Sequence, residues 1–145
     1  MKITCGIILE NSEDQILLCH PTNAPKNSWS IPKGLNEDLE DFWETAKREL
    51  LEETSIDLDQ LDYSMEEVPR LFFYKNKKKC LKVFWVKLND NKIDQAKLEC
   101  KSLVDNIFPE VDKFLWTSPD EALKCLHQTQ IEAIQAGMSE FFNSG

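Results

Sequence analysis

The chain has 145 residues, 41% apolar and 30% charged, which is enough for one domain with a packed core. Its net charge of −9 argues against general affinity for DNA or any other nucleic acid. No apolar run approaches a membrane span, no signal-peptide pattern opens the chain, and the four glycines form neither a phosphate loop nor a dinucleotide fingerprint.

Taken in chain order, residues 3–9 and 15–20 read as two strands, joined by the Asn11-Ser12-Glu13-Asp14 turn. Next comes Trp29-Ser30-Ile31-Pro32-Lys33-Gly34, a stiff bend ending in a permissive glycine that lets the backbone come close to a neighbour. An acidic helical segment follows, with Phe42, Ala46 and Leu50 recurring every four residues as a core-facing stripe. Residues 71–74 and 81–88 read as strands around a turn of Lys75, Asn76, Lys77, Lys78 and Lys79, and Asn89-Asp90-Asn91 makes a further turn. Phe72, Phe73 and Tyr74 are expected mainly in the core. Residues 114–117 form a short strand. Ser118-Pro119-Asp120-Glu121 then opens a helix with a capping serine, a first-turn proline and acids at the positive dipole end. Its apolar face is Ala122, Leu123 and Leu126. Ile131, Ile134, Met138 and Phe141 or Phe142 define a last helix. Strands and helices mixed in this order point to the α/β class, a sheet between helices. No repeat or linker interrupts the chain, so residues 1–145 are expected to form one domain.

Between residues 34 and 56 the chain carries the acids that matter most. Glu49, Glu52 and Glu53 stand at i, i+3 and i+4, and a helix puts all three on one face. Like charges so placed repel unless a cation sits among them, and carboxylate oxygens on a rigid element suit a hard ion such as Mg²⁺. Glu44 and Arg48 have the spacing of a helical ion pair, and Arg48 can also hold a ligand carboxylate in place. The competing reading is a solvated acidic helix. The coincidence of the triplet, the arginine and the glycine-led approach weighs against it.

These residues resemble the Nudix hydrolase signature, G-x5-E-x7-R-E-U-x-E-E-x-G-U with U aliphatic. Gly34, Glu40, Arg48, Glu49, Leu50, Glu52, Glu53 and Ile56 match, and Ser55 replaces the second glycine. That glycine ends the helix in a left-handed position, so serine there costs about 1 kcal/mol without touching a ligand. The WSIPKG run is similar to a lead-in found in several Nudix branches. Phe108-Pro109-Glu110-Val111-Asp112 with Trp116 resembles a segment of a branch of predicted nucleoside triphosphate pyrophosphohydrolases, and of bacterial RNA pyrophosphohydrolases.

The resemblance implies an α/β/α sandwich with a mixed sheet. It also implies hydrolysis of a pyrophosphate bond in a nucleoside diphosphate linked to a group X, or in a nucleotide polyphosphate. Dinucleoside polyphosphates and nucleoside triphosphates are the favoured small nucleotide partners. Mg²⁺, with Mn²⁺ as a substitute, would be held by Glu49, Glu52, Glu53, the Gly34 carbonyl and Glu110. The general base is Glu52, Glu53 or Glu110, with Asp112 as the fallback for Glu110. Glu40 and Arg48 are supporting residues, and Lys33 is the substrate-phosphate contact.

Each assignment has a plainer rival. Glu110 can be a surface acid and Lys33 a solvated lysine. Trp29 can pack in the core rather than stack on a base, and the lysine turn can be solvated rather than touch a polyphosphate or an RNA 5′ end. His20 and His127 belong to no Ser or Cys arrangement suited to covalent catalysis. Five cysteines, an odd number without C-x-x-C spacing, point to reduced thiols and a cytoplasmic location. The alternative functions are an RNA 5′-pyrophosphohydrolase and a catalytically silent Nudix-fold binding module.

Overall fold

The computed structural model describes residues 1–90, 93 and 97–142. Its strands are β1 (Lys2–Glu10), β2 (Ile16–Pro21), β3 (Lys33–Leu35), β4 (Tyr63–Glu67), β5 (Phe72–Phe73), β6 (Lys79–Leu88), β7 (Leu103–Val104), β8 (Phe108–Pro109) and β9 (Val111–Thr117). Its helices are α1 (Phe42–Thr54), α2 (Pro119–Ala122) and α3 (Gln128–Phe142), with a 3-10 turn at Leu58–Gln60. Among the described residues, seven strands make one mixed sheet in the order β4-β6-β1-β2-β9, with β3 added to β1 and β5 to β6.

The centre of the sheet is the parallel pair β1–β6, in register from Lys2↔Lys79 to Glu10↔Lys87. Covered on both faces, these strands carry the near-continuous apolar runs that buried parallel strands require. Alternate residues feed two cores. Cys5, Ile7, Leu9, Phe84 and Val86 meet Ala46 and Leu50 of α1. Ile8, Leu81, Val83 and Trp85 meet Ala133 and Ile134 of α3, with Ala122 and Leu126 alongside. This is the α/β/α sandwich expected from the sequence. Among the described residues no helix is long and apolar enough to cross a membrane.

Several local expectations need correction. β3 and β4 escape the sequence pattern: β3 has only three residues, and β4 is exposed at four of its five positions, so neither shows an apolar alternation. Phe73 is exposed while Phe72 is buried, because the pleat turns one of each adjacent pair outward. α2 ends at Ala122, and Leu123 and Leu126 reach the core from the turn beyond it. Glu44 pairs with Lys47, not with Arg48. Asn91 of the third turn and the Phe142 side chain lie outside the described residues. All five cysteines are free, with Cys5, Cys19 and Cys80 buried. Burial pushes the Cys5 thiol up to about 12, which keeps it protonated and unreactive.

Two devices place the future site. The buried Gln130 of α3 accepts from the Ile31 N–H at 2.9 Å and donates to Ser30 Oγ at 3.1 Å, pinning the segment that leads into β3. α1 is capped by Asp41, whose side chain accepts from the Glu44 N–H at 2.8 Å. It ends at Ser55, left-handed at φ 69°. The Ser55 hydroxyl donates to the Glu99 carbonyl at 2.6 Å, a return for the strained backbone that glycine could not give. Ser55→Ala, which keeps the strain and loses this bond, is expected to destabilise the protein by about 1 kcal/mol. Ser55→Gly, which loses both, is expected to be nearly neutral. Urea titration of the two variants beside the parent checks this, and a large gain for Ser55→Gly would mean the hydrogen bond contributes little.

Candidate active site

α1 turns its acids toward β3 and the β8–β9 corner. Glu49 and Glu53, one turn apart, are both buried, and their carboxyl groups hydrogen-bond each other. Both groups are shifted upward, chiefly by burial. For Glu53 burial is the main cause, reinforced by the charges of Glu49 and Glu110 and opposed by Lys33. For Glu49 the causes are burial and Glu52, opposed by Arg48. The pair is a reservoir of unexpressed negative charge.

Gly34 of β3 lies directly over Glu49. A β-carbon built there would stand 1.9 Å from the Glu49 carboxyl carbon, so any side chain would displace the carboxylate. The glycine is needed for space and not for backbone freedom, since no glycine among the described residues has a positive φ.

Arg48 organises the exposed flank. Its Nε and Nη2 donate to Glu40 at 2.8 and 3.0 Å, and its Nη1 donates to Glu49 at 3.0 Å and Glu52 at 3.3 Å. A further bond runs from Nη2 to the Leu35 carbonyl at 3.1 Å, tying β3 to α1. Glu40 is fixed from its other side by the Thr45 hydroxyl at 2.6 Å, and Asn36 donates to Thr45 at 2.7 Å. The hydrogen bonds from Arg48, then that from Thr45, hold the Glu40 carboxyl down at about 2. Glu40, followed by Glu49 and Glu52, moves Arg48 upward, against burial. Glu40 and Arg48 are thus joined to each other and, through Arg48, to Glu49 and Glu52.

Across from Glu53, a cleft of about 220 Å³ is lined by Cys19, Pro21, Ser30, Lys33, Glu53 and Glu110, with Val111 beside Glu110. Lys33 and Glu110 are therefore brought to Glu53, although they are 20 and 57 residues away in sequence. Glu110 is held by its backbone: its N–H donates to the Ser102 carbonyl and its carbonyl accepts from the Thr22 N–H, both at 2.9 Å. Asp112, the fallback, does not reach this cleft. Its Oδ1 lies 2.7 Å from Nδ1 of the buried His20, whose Nε2 donates to the Pro25 carbonyl at 2.9 Å. His20 thus braces both the Glu110 corner and the loop before Trp29, whose ring meets it edge-on at 5.3 Å. Trp29 packs against the core. A lone histidine carries no spacing signal, and the sequence did not mark His20.

The remaining acid, Glu52, is turned to Arg48 and is half-exposed. Among the described residues no three His, Cys, Asp or Glu side chains form a single closed cluster. The donor chemistry still fits a hard divalent cation: oxygen ligands only, two of them buried side by side, under a backbone with no side chain to intrude.

The NUDIX domain family model matches residues 2–137. The human protein named nucleoside diphosphate-linked moiety X motif 6 is 43% identical over 51 residues, 35% of this chain and 16% of that protein. The RNA pyrophosphohydrolase of Pelagibacter ubique (strain HTCC1062) is 32% identical over 80 residues, 55% of this chain and 49% of that protein. The chain therefore spans half or less of the length of these curated relatives. In structure, a binary complex of the C. elegans Ap4A hydrolase superposes with a TM-score of 0.72 at 22% identity, covering 100% of both chains. That likeness establishes a common fold. With the glutamates, arginine and glycine of α1 and β3 in place and a family match running almost from end to end, this chain belongs to the Nudix family.

Proposed function

We propose that residues 1–145 form a single Nudix domain that hydrolyses the pyrophosphate bond of a nucleoside diphosphate-X or nucleotide polyphosphate, with dinucleoside polyphosphates and nucleoside triphosphates as the favoured substrates. The observation that carries the reading is the buried Glu49–Glu53 pair beneath Gly34, facing Lys33 and Glu110 across one cleft. Glu49, Glu52, Glu53, the Gly34 carbonyl and Glu110 would hold Mg²⁺, with Mn²⁺ as a substitute. When bound, the ion supplies neutralising charge for the phosphate oxygens and makes water a better nucleophile.

The chain's own groups do the rest. Arg48 keeps Glu49 and Glu52 oriented, so little reorganisation remains when substrate arrives. A carboxylate takes the proton from the attacking water. Glu53 and Glu110 both line the cleft and are better placed for this than Glu52, which is committed to Arg48. Lys33, which lines the same cleft, would stabilise the charge that develops on the bridging oxygen.

Two features favour a second reading, the RNA 5′-pyrophosphohydrolase. Its support is the Pelagibacter ubique relative together with the lysine turn near β3. A panel of diadenosine tetraphosphate, ADP-ribose, nucleoside triphosphates and 5′-triphosphate RNA, with products resolved by chromatography, separates the two. Hydrolysis of none of them by folded, Mg²⁺-supplied protein would leave the silent binding module.

Three variants test the assignments. Glu53→Gln is expected to lower kcat by about 100-fold or more with the fold intact; a near-normal rate would remove Glu53 from the site. The same variant has a signature in stability. A carboxyl whose folded pKa is raised opposes folding as pH climbs from the ordinary glutamate value through the raised one. In EDTA the parent's Tm should therefore fall over that window, and Glu53→Gln should flatten the fall; parallel curves would mean the pair is not strained by its charge. Glu110→Gln is expected to slow turnover while changing stability by under about 0.5 kcal/mol, and an unchanged rate would return it to the surface. Gly34→Ala is expected to abolish turnover by displacing Glu49, checked by assay beside circular dichroism.

A further inference from the structure

Beside the catalytic cleft lies a larger groove of about 850 Å³, walled by β3 and the turn before β6. Lys2, Lys33, Lys77, Lys78 and Lys79 all line it, with Asn76 and Gly34. Five cations around one groove are unexpected on a chain of net charge −9, and among the described residues none of the five has a carboxylate within ion-pair distance. Lys47, Lys82, Lys87 and Lys124, elsewhere in the chain, do. Like charges left unpaired at close quarters repel, and an anion placed among them relieves that cost.

The turn is also built to hold its shape. Tyr74 and Lys77 close it through a backbone hydrogen bond of 2.9 Å, Lys77 adopts a left-handed φ of 57°, and Asn76 Oδ1 accepts from the Lys78 N–H at 2.9 Å. The Lys2 N–H donates to the Lys78 carbonyl at 3.1 Å, fastening the turn to β1. Lys79 is steadied over the Tyr74 ring at 4.9 Å.

Lys33 lines both spaces: this groove and the cleft of Glu53 and Glu110. The two are neighbours across a single side chain. We infer that the lysine groove is a binding subsite for phosphate groups beyond the scissile pyrophosphate, so that the chain selects substrates carrying three or more phosphates in a row. Lys33 takes the phosphates nearest the cleft, and Lys77, Lys78 and Lys2 take those further along. A substrate limited to two phosphates leaves the far lysines empty. This inference rests on the hydrolase reading for the identity of the near phosphates. The groove itself can be tested without it.

The experiment uses the double variant Lys77→Gln, Lys78→Gln, which changes two exposed side chains and keeps their length. Inorganic tripolyphosphate is titrated calorimetrically into parent and variant in EDTA, where the groove alone is read. Binding by the parent that weakens about tenfold in the variant is expected from the loss of two exposed charge contacts. Equal binding by the two proteins, or none by the parent, overturns the subsite. In Mg²⁺, kcat/KM for diadenosine tetraphosphate should fall by a similar factor while that for ADP-ribose stays within twofold. A matching fall for both substrates overturns the length selectivity. If the parent cleaves nothing, the hydrolase reading fails, and the EDTA titration still decides the groove. Running 5′-triphosphate RNA beside diadenosine tetraphosphate tells whether the phosphate chain belongs to a nucleic acid end or a free nucleotide: the source is the one whose kcat/KM falls.

Discussion

The site depends on one constraint: two carboxyl groups, Glu49 and Glu53, are buried side by side in a place where burial disfavours the charge of both. Burying a single unpaired charge is costly, and two adjacent ones of the same sign cost more. The protein answers by placing opposing charge just outside, with Arg48 on Glu49 and Lys33 near Glu53. Gly34 completes the enclosure, because its missing side chain is the space that the Glu49 carboxyl fills.

From that constraint the surroundings follow. Arg48 must be held still to be useful, and Glu40 holds it with two hydrogen bonds while Thr45 and Asn36 hold Glu40. The same guanidinium reaches the Leu35 carbonyl, so the strand carrying Gly34 and the helix carrying the acids are joined by one side chain. On the other side of the cleft, backbone hydrogen bonds to Thr22 and Ser102 set Glu110, and the brace through His20 and Asp112 holds its corner. Four separate segments thus meet at a place where none of them alone would make a site.

Much of this was legible in the sequence for a physical reason. The periodic contacts of α1 are local, so spacing alone puts Phe42, Ala46 and Leu50 on the core and the glutamates on another face. The central strands announce themselves by apolar runs. What stayed hidden depends on distant partners. β3 is a strand only because β1 pairs with it, and β4 only because β6 does. Arg48 has the spacing to take Glu44 but finds better geometry at Glu40, eight residues back and outside the helix. Asp112 looked interchangeable with Glu110 until the bulge at His20 and Pro21 put the two acids in different surroundings.

The parallel pairing of β1 with β6 has a consequence for how the molecule comes into being. Their first rungs join Lys2 to Lys79, so the central ladder closes a loop of more than seventy residues, and β3 and α1 lie inside that loop. Closing a long loop costs entropy before any contact repays it, and topologies rich in such pairings fold slowly. A ribosome-bound chain that has emerged only as far as the lysine turn already carries every acid of α1 and the strand β1 beneath it, yet lacks Phe84 and Val86 of β6, which complete the core on that face. The core under the charged helix is therefore closed only when β6 arrives. Formation of the site is a late event, coupled to closure of the sheet as a whole.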